Sequence, residues 1–228
     1  MQIEDFLSRL GIVCKDMRLV RQAFTHRSYV NEHRDESIEH NERLEFLGDA
    51  VLELVVTDFL YSKYPGSTEG ELTSYRAALV NTNSISEAAT ELGMNEHLLL
   101  SKGEAKDTGR ARQYILANTF EAFIGALYLD QGYDAAQKFI ANALFHKSDE
   151  IVSRRLWQDA KSRFQELAQE KEGQTPSYEM LEESGPDHDK LFVAGIYIGE
   201  KLVARGEGSS KQEAEQAAAE AGLRAKSW

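Results

Sequence analysis

The feature that most constrains this chain is a change of hydrophobic period part-way along it. Up to about residue 146, apolar residues recur at i, i+3, i+4 and i+7 in the runs 3–13, 17–31, 41–64, 70–80, 82–92 and 111–130. Turn signals separate them at Tyr64-Pro65-Gly66-Ser67, at Gly93-Met94-Asn95 and from Lys102-Gly103 to Gly109. No strand alternation interrupts this region, which predicts an all-α domain over 1–146. Residues 147–158 are mixed in charge and weakly patterned, and read as a linker with helical turns. A helix is expected over 159–172, after which the pattern becomes that of strands. Ser177–Glu182 and Leu191–Ile198 carry it, joined by a turn at Gly185-Pro186-Asp187; Gly199-Glu200 turns into a third strand, Lys201–Arg205. A helix over 210–226 follows. The order α-β-β-β-α over 159–228 predicts a small α+β domain, a three-stranded antiparallel sheet with both helices on one face.

Composition narrows the function classes. The chain has 228 residues, 42% of them hydrophobic, which supports a real core. Its one cysteine, Cys14, excludes an internal disulfide framework, fits a reducing compartment, and is expected to be a small half-buried residue. No run approaches the roughly 18 apolar residues of a membrane span, and Met1-Gln2-Ile3-Glu4-Asp5 lacks the pattern of a signal peptide. A soluble, cytoplasmic chain with no membrane contact is expected. The formal net charge of −12 opposes a globally attractive surface for nucleic acid. It leaves room for a local basic patch, or for metal ions bridging acidic protein to phosphate.

The stretch Asn41 to Leu52, NERLEFLGDAVL, combines an apolar helix pattern with a stripe of carboxylates. Glu42, Glu45 and Asp49 share one helix face, continued by Glu53, and no lysine lies beside them in sequence. Leu44, Leu47, Val51 and Leu54 fall on the opposite face. In Ile115 to Leu127, Asn118 and Glu121 share a face at i, i+3, opposite Leu116, Phe120, Phe123 and Leu127. If both helices bury their apolar faces in one bundle, the acidic faces meet at its edge. Two readings stand at this point: a solvated acidic face, or oxygen ligands for a hard cation such as Mg²⁺ or Mn²⁺, the usual apparatus of phosphodiester hydrolysis. Phe46 sits beside the acid stripe, where it is either a self-association surface or covered by a neighbouring loop.

These residues carry a resemblance. NERLEFLGDAVL is similar to the signature stretch of the bacterial ribonuclease III family. Thr25-His26-Arg27-Ser28, Glu69-Gly70-Glu71-Leu72 and Leu116 to Asp130, LANTFEAFIGALYLD, resemble further family elements in the right order. Gly185-Pro186-Asp187-His188 and Gly206 to Lys211 resemble those of a double-stranded-RNA-binding domain. The resemblance covers nearly the whole chain. It implies a Mg²⁺-dependent endoribonuclease, with Mn²⁺ substituting, that cuts double-stranded RNA as a homodimer and needs no small-molecule cofactor. Its products would have 5′-phosphate and 3′-hydroxyl ends with two-nucleotide 3′ overhangs, and its work would include processing of rRNA precursors and some mRNAs. It implies that Glu45, Asp49, Asn118 and Glu121 hold the metal, with Asp49 and Glu121 the positions whose loss is most damaging. Glu42 would contact RNA or water near the site, Glu69 would reach the cleft formed with the other subunit, and Phe46 would enter a socket on the partner. His26 would be a structural hydrogen-bonding residue. Asn118 departs from the aspartate the family often has, so one negative charge is missing.

For the C-terminal part the resemblance implies three contact regions on duplex RNA, which such domains read by shape over roughly 16 base pairs. Gln165 and Glu166 would lie in one minor groove and His188 in the next, while Ser209, Ser210 and Lys211 at a helix N-terminus would hold phosphates. The family usually has two basic residues after the serines; here Lys211 is followed by Gln212 and Glu213. Residues 159–228 hold nine Lys and Arg against fourteen Asp and Glu, a net of −5. Weak, salt-sensitive RNA binding is therefore expected, and a protein-interaction module on the same fold is the alternative. For the whole chain the alternatives to a duplex-RNA endonuclease are an RNA-binding homodimer without efficient cleavage, and a metal-dependent phosphohydrolase of small nucleotides, against which the second domain argues.

Overall fold

The structure is a computed structural model that describes residues 3–33, 38–106, 108–153, 157, 159–186 and 190–228. Contacts divide the chain into two compact units, residues 1–157 and 158–228.

Among the described residues the first unit is helical. It comprises α1 (Ile3–Arg9), α2 (Met17–Ala23), α3 (Arg27–Glu32), α4 (Glu42–Lys63), α5 (Glu69–Val80), α6 (Thr82–Glu91), α7 (Arg110–Gln131), α8 (Tyr133–Leu144) and α9 (Ser148–Ser153), with short 3₁₀ turns between some of them. The helix starts follow from capping chemistry. Asp16 accepts from the Arg18 amide, Asn81 accepts from the Ser84 amide, and Thr68 and Glu71 form a reciprocal capping box at the head of α5. The expected helix over 3–13 stops at Arg9, because Gly11 takes a left-handed φ of +65° and closes the end with bonds from Gly11 and Ile12 to the Ser8 and Leu7 carbonyls.

The expected single helix over 17–31 is two helices. Fully buried Thr25 bridges to Leu99, and the Leu99 amide donates to the Phe24 carbonyl while the His26 amide donates to the Leu99 carbonyl. These long-range backbone bonds outweigh the local period and leave His26 to cap α3. The run after 130 also resolves into α8, set off by Gly132 at φ +85°. Residues 148–153 are helical and pack onto the first unit: Lys63 pairs with Asp149 at 2.7 Å, and Trp157 meets the Tyr75 ring edge-on at 5.1 Å.

The long helices α4 and α7 form the spine. Leu52, Val55, Val56, Leu60, Phe120, Phe123, Ile124 and Leu127 are buried in one core with Phe6 and Phe24. Leu54 departs from the expected pattern: it is 58% exposed, so the buried face of α4 is carried by Leu44, Gly48, Val51, Leu52, Val55, Val56 and Leu60 instead.

The second unit has α10 (Ala160–Glu172), β1 (Pro176–Ser184), β2 (Leu191–Ile198), β3 (Lys201–Gly208) and α11 (Lys211–Lys226). Its sheet is antiparallel in the order β1-β2-β3. Phe192, Ala194, Ile196 and Ile198 alternate onto one face and bury against Phe164 and Ala168 of α10 and Ala214, Ala218 and Leu223 of α11. The third strand runs three residues beyond the expected Arg205. Gly206 and Gly208 permit this close approach, because a Cβ on Gly206 would fall 2.0 Å from the Ala218 amide nitrogen. No described helix is long and apolar enough to cross a membrane.

Candidate active site

The site begins where α4 crosses α7. A Cβ at Gly48 would meet the Glu121 carbonyl oxygen at 1.8 Å, and one at Gly125 would meet the Leu44 carbonyl oxygen at 2.3 Å. Two glycines thus let the backbones touch. Glu45 and Asp49 of α4 flank the crossing, and Glu121 projects from it on α7.

Electrostatics show which carboxylates face one another. Burial pushes the Glu121 carboxyl up to about 8, and Asp49, Glu45 and Glu53 push in the same direction. Burial also raises Glu45, helped by Glu42 and Asp49. The ends of the acid stripe are answered by arginines from other helices, and the Glu42 end also has the His40 ring nearby. Arg27 lies 3.4 Å from Glu42, with His40 at 3.8 Å, and Arg76 lies 2.8 Å from Glu53. Among the described residues no lysine or arginine pairs with Glu45, Asp49 or Glu121. Among the described residues, the carboxyl groups without a cationic partner are therefore gathered at the helix crossing, where burial and their neighbours hold Glu121 toward its protonated form.

Asn118 lies one turn N-terminal to Glu121 on α7, partly buried. The donors are all oxygen, which fits a hard divalent cation in chemistry and charge. Among the described residues, no three of these side chains are already gathered into a closed ligand set, so a cation would have to draw the carboxylates in against their mutual repulsion.

The other expected positions are placed as follows. Glu42 is in the first turn of α4, exposed. Glu69 opens α5, exposed, and accepts the Thr73 hydroxyl at 3.2 Å; it is not one of the carboxylates acting on Glu121. His26 is structural in its contacts: its Nδ1 accepts from the Ser28 amide, and the Ser28 hydroxyl oxygen accepts from the Ser101 amide at 3.1 Å. Phe46 is 81% exposed, and Leu54 and Tyr61, two and four turns on, extend it into an apolar stripe along α4.

In the second unit Gln165 and Glu166 are exposed on α10. His188 lies outside the described residues. Ser210 caps α11, its hydroxyl oxygen accepting from the Glu213 amide at 3.2 Å. Lys211 lies over the Phe192 ring at 6.0 Å. The Ser209 amide and hydroxyl both donate to the Glu213 carboxylate, so these expected phosphate donors are engaged within the chain. Sequence reasoning assigned no role to Arg27, Arg76 or the two crossing glycines, and marked Glu213 only as an acid where the family usually has a base. Only Glu213 had a visible signal, as the acid three residues after a capping serine.

Comparison with known proteins identifies both units. Residues 16–148 match the family described as ribonuclease-III-like, and residues 160–226 match the double-stranded RNA binding motif. The chain is 48% identical to ribonuclease 3 of Enterococcus faecalis over 217 residues, 95% of this chain and 94% of that one. It is also 48% identical to ribonuclease 3 of Geobacillus kaustophilus over 222 residues, 97% of this chain and 90% of that one. The nuclease domain of ribonuclease III from Campylobacter jejuni superposes with a TM-score of 0.56 at 37% identity, covering 62% of this chain and 98% of that domain. With both units matched and near-full-length likeness at this identity, the chain belongs to the ribonuclease III family, as an endoribonuclease whose helical nuclease domain precedes a double-stranded-RNA-binding domain.

Proposed function

We propose that this protein cuts double-stranded RNA as a Mg²⁺-dependent homodimer, with Mn²⁺ able to substitute, leaving 5′-phosphate and 3′-hydroxyl ends with two-nucleotide 3′ overhangs. Precursors of rRNA and some mRNAs are the substrates this reading favours. The observation that carries it is the glycine crossing of α4 and α7, which sets Glu121 against Asp49 and Glu45 with no lysine or arginine paired to them among the described residues. A bound divalent cation supplies an activated water and neutralises charge on the scissile phosphate and leaving oxygen.

The chain's own residues have distinct tasks. Asp49, Glu45 and Glu121 offer carboxylate oxygens, and Asn118 offers a neutral amide oxygen beside them. Glu42, tethered toward Arg27 and His40, is placed at the stripe's edge to contact RNA or water. Glu69, on a different helix, reaches the cleft only if a second subunit completes it. That subunit is supported by the exposed stripe of Phe46, Leu54 and Tyr61. It is supported also by the Campylobacter jejuni nuclease domain, whose description concerns a region involved in dimer formation. In the second unit Gln165, Glu166, His188, Ser209, Ser210 and Lys211 form the proposed duplex contact.

The test is incubation of the purified protein with a labelled long duplex, with and without Mg²⁺. Short duplex products with 5′-phosphates, formed only with the cation, are expected. Retarded but intact RNA would leave a binding protein, and neither product nor retardation would overturn the reading.

A further inference from the structure

The second unit carries more acid than base, and its structure shows where two of those acids are spent. Cross-strand register sets Glu183 of β1 opposite Phe192 of β2, and Phe192 opposite Gly208 of β3. This row runs under the start of α11, since a Cβ at Gly208 would lie 2.5 Å from the Glu213 Cβ.

Two carboxylates hold the donors at this edge. The Lys190 ammonium donates to Glu183 at 2.9 Å. Lys190 first, and Lys211 also, hold the Glu183 carboxyl below its usual range, so both lysines feel this acid. On the far side of the row, the Glu213 carboxylate takes the Ser209 amide at 2.8 Å and the Ser209 hydroxyl as well. The Lys190 ammonium, the Ser209 amide and the Ser209 hydroxyl are donors of the kind that hold an RNA phosphate, and each already has an anion of the chain's own; Lys211 lies close enough to Glu183 to act on it through its charge.

We propose that Glu183 and Glu213 are built-in competitors for RNA phosphate, which a duplex must displace before this edge can bind it. The inference rests on the duplex-binding reading above and adds two residues that set its affinity. Each displaced carboxylate cancels part of the gain from a phosphate contact. Binding is then weaker than the number of donors implies, and fewer counterions are released per complex.

The experiment measures the Kd of the full chain for a fluorescent RNA duplex against salt concentration, with EDTA present so that the duplex stays intact. The parent is compared with Glu183→Gln, Glu213→Gln and Glu179→Gln. Glutamine at 213 keeps an acceptor for the Ser209 amide, and Glu183 takes part in no helix cap. Glu179 removes the same charge from the helix-free face of the sheet, since its neighbours Tyr178 and Met180 turn to the core. Glu183→Gln and Glu213→Gln should each tighten binding by about 3–10-fold and steepen the log–log salt slope by about 0.7–0.9, the increment for one more neutralised phosphate. Glu179→Gln should change neither. If the parent binds duplex and all three variants bind as the parent does, the competition is refuted while duplex binding stands. If Glu179→Gln tightens binding as much as the others, the effect is general charge and the inference fails. If the parent does not retain duplex at all, the reading it rests on fails too.

Discussion

A Cβ on Gly48 would stand 1.8 Å from the carbonyl oxygen of Glu121. The distance is shorter than any van der Waals contact, so position 48 tolerates no side chain while α7 stays where it is. The same contact fixes how closely Asp49 and Glu45 approach Glu121. Packing and the approach of these three carboxylates therefore depend on one hydrogen atom in place of a methyl group.

Gly48→Ala should push the two helices apart. Overpacking costs about 1–3 kcal/mol, and backbone clash on both sides puts this variant at or above the upper end. The unfolding midpoint of the nuclease domain should fall by about 5–10 °C, with cleavage lost in the fraction that still folds. Gly66→Ala, whose Cβ would meet nothing within 4 Å, should stay within about 0.5 kcal/mol of the parent. Calorimetry of both variants checks this; equal midpoints would show that the crossing adjusts freely.

Phe46→Asp should weaken dimerisation and cleavage together. An exposed phenylalanine that becomes buried on association contributes about 1.5–3 kcal/mol, and two-fold symmetry uses it twice. Sedimentation at low micromolar concentration reads the outcome. An unchanged dimer would remove Phe46 from the interface, and Leu54 and Tyr61 would be the next residues of the stripe to test.

His97 should make the nuclease domain less stable in mild acid. It is buried against the Phe6 and Phe24 rings, and its Nε2 has no hydrogen-bond partner. Burial holds it below its ordinary value of 6.5. The unfolded chain therefore takes up a proton that the folded chain resists. His97's contribution is fully present above about pH 6.5 and is lost as pH falls through its lowered folded value. Urea unfolding at about pH 7.5 and pH 5.5 should show a larger drop for the parent than for His97→Phe. Equal drops would place the proton elsewhere.

Much of this was legible in the sequence, and the gaps have physical causes. Period alone marks α4 and α7, because each carries a buried stripe several turns long. The same period, in Ala136, Phe139, Ile140, Ala143 and Leu144, was available for α8 but was not separated from its surroundings. The break between α2 and α3 has no local signature, since it comes from a backbone bridge between Thr25 and Leu99, far apart in sequence. The acid stripe of Glu42, Glu45, Asp49 and Glu53 was visible. Its division into two ends held by Arg27 and Arg76 and an uncompensated middle was not, because it depends on how α4 meets its neighbours. Nor did spacing show that Ser209's donors are already taken, though the acid at position 213 was in view.

The most direct test of the central account, that the crossing of α4 and α7 builds a cation site for RNA cleavage, is the cleavage rate of a labelled duplex as a function of Mg²⁺ concentration. The parent, Asp49→Asn, Asn118→Asp and Asn118→Ala should be measured side by side. Asp49→Asn should lose about 100-fold or more in rate, the scale on which one stabiliser of transition-state charge is felt. Asn118→Asp should lower the Mg²⁺ concentration for half-maximal cleavage, and Asn118→Ala should raise it, because one adds charge to the donor set and the other removes an oxygen. A parent curve shared by Asp49→Asn would contradict the account, and one shared by Asn118→Ala would take Asn118 out of the cation's surroundings.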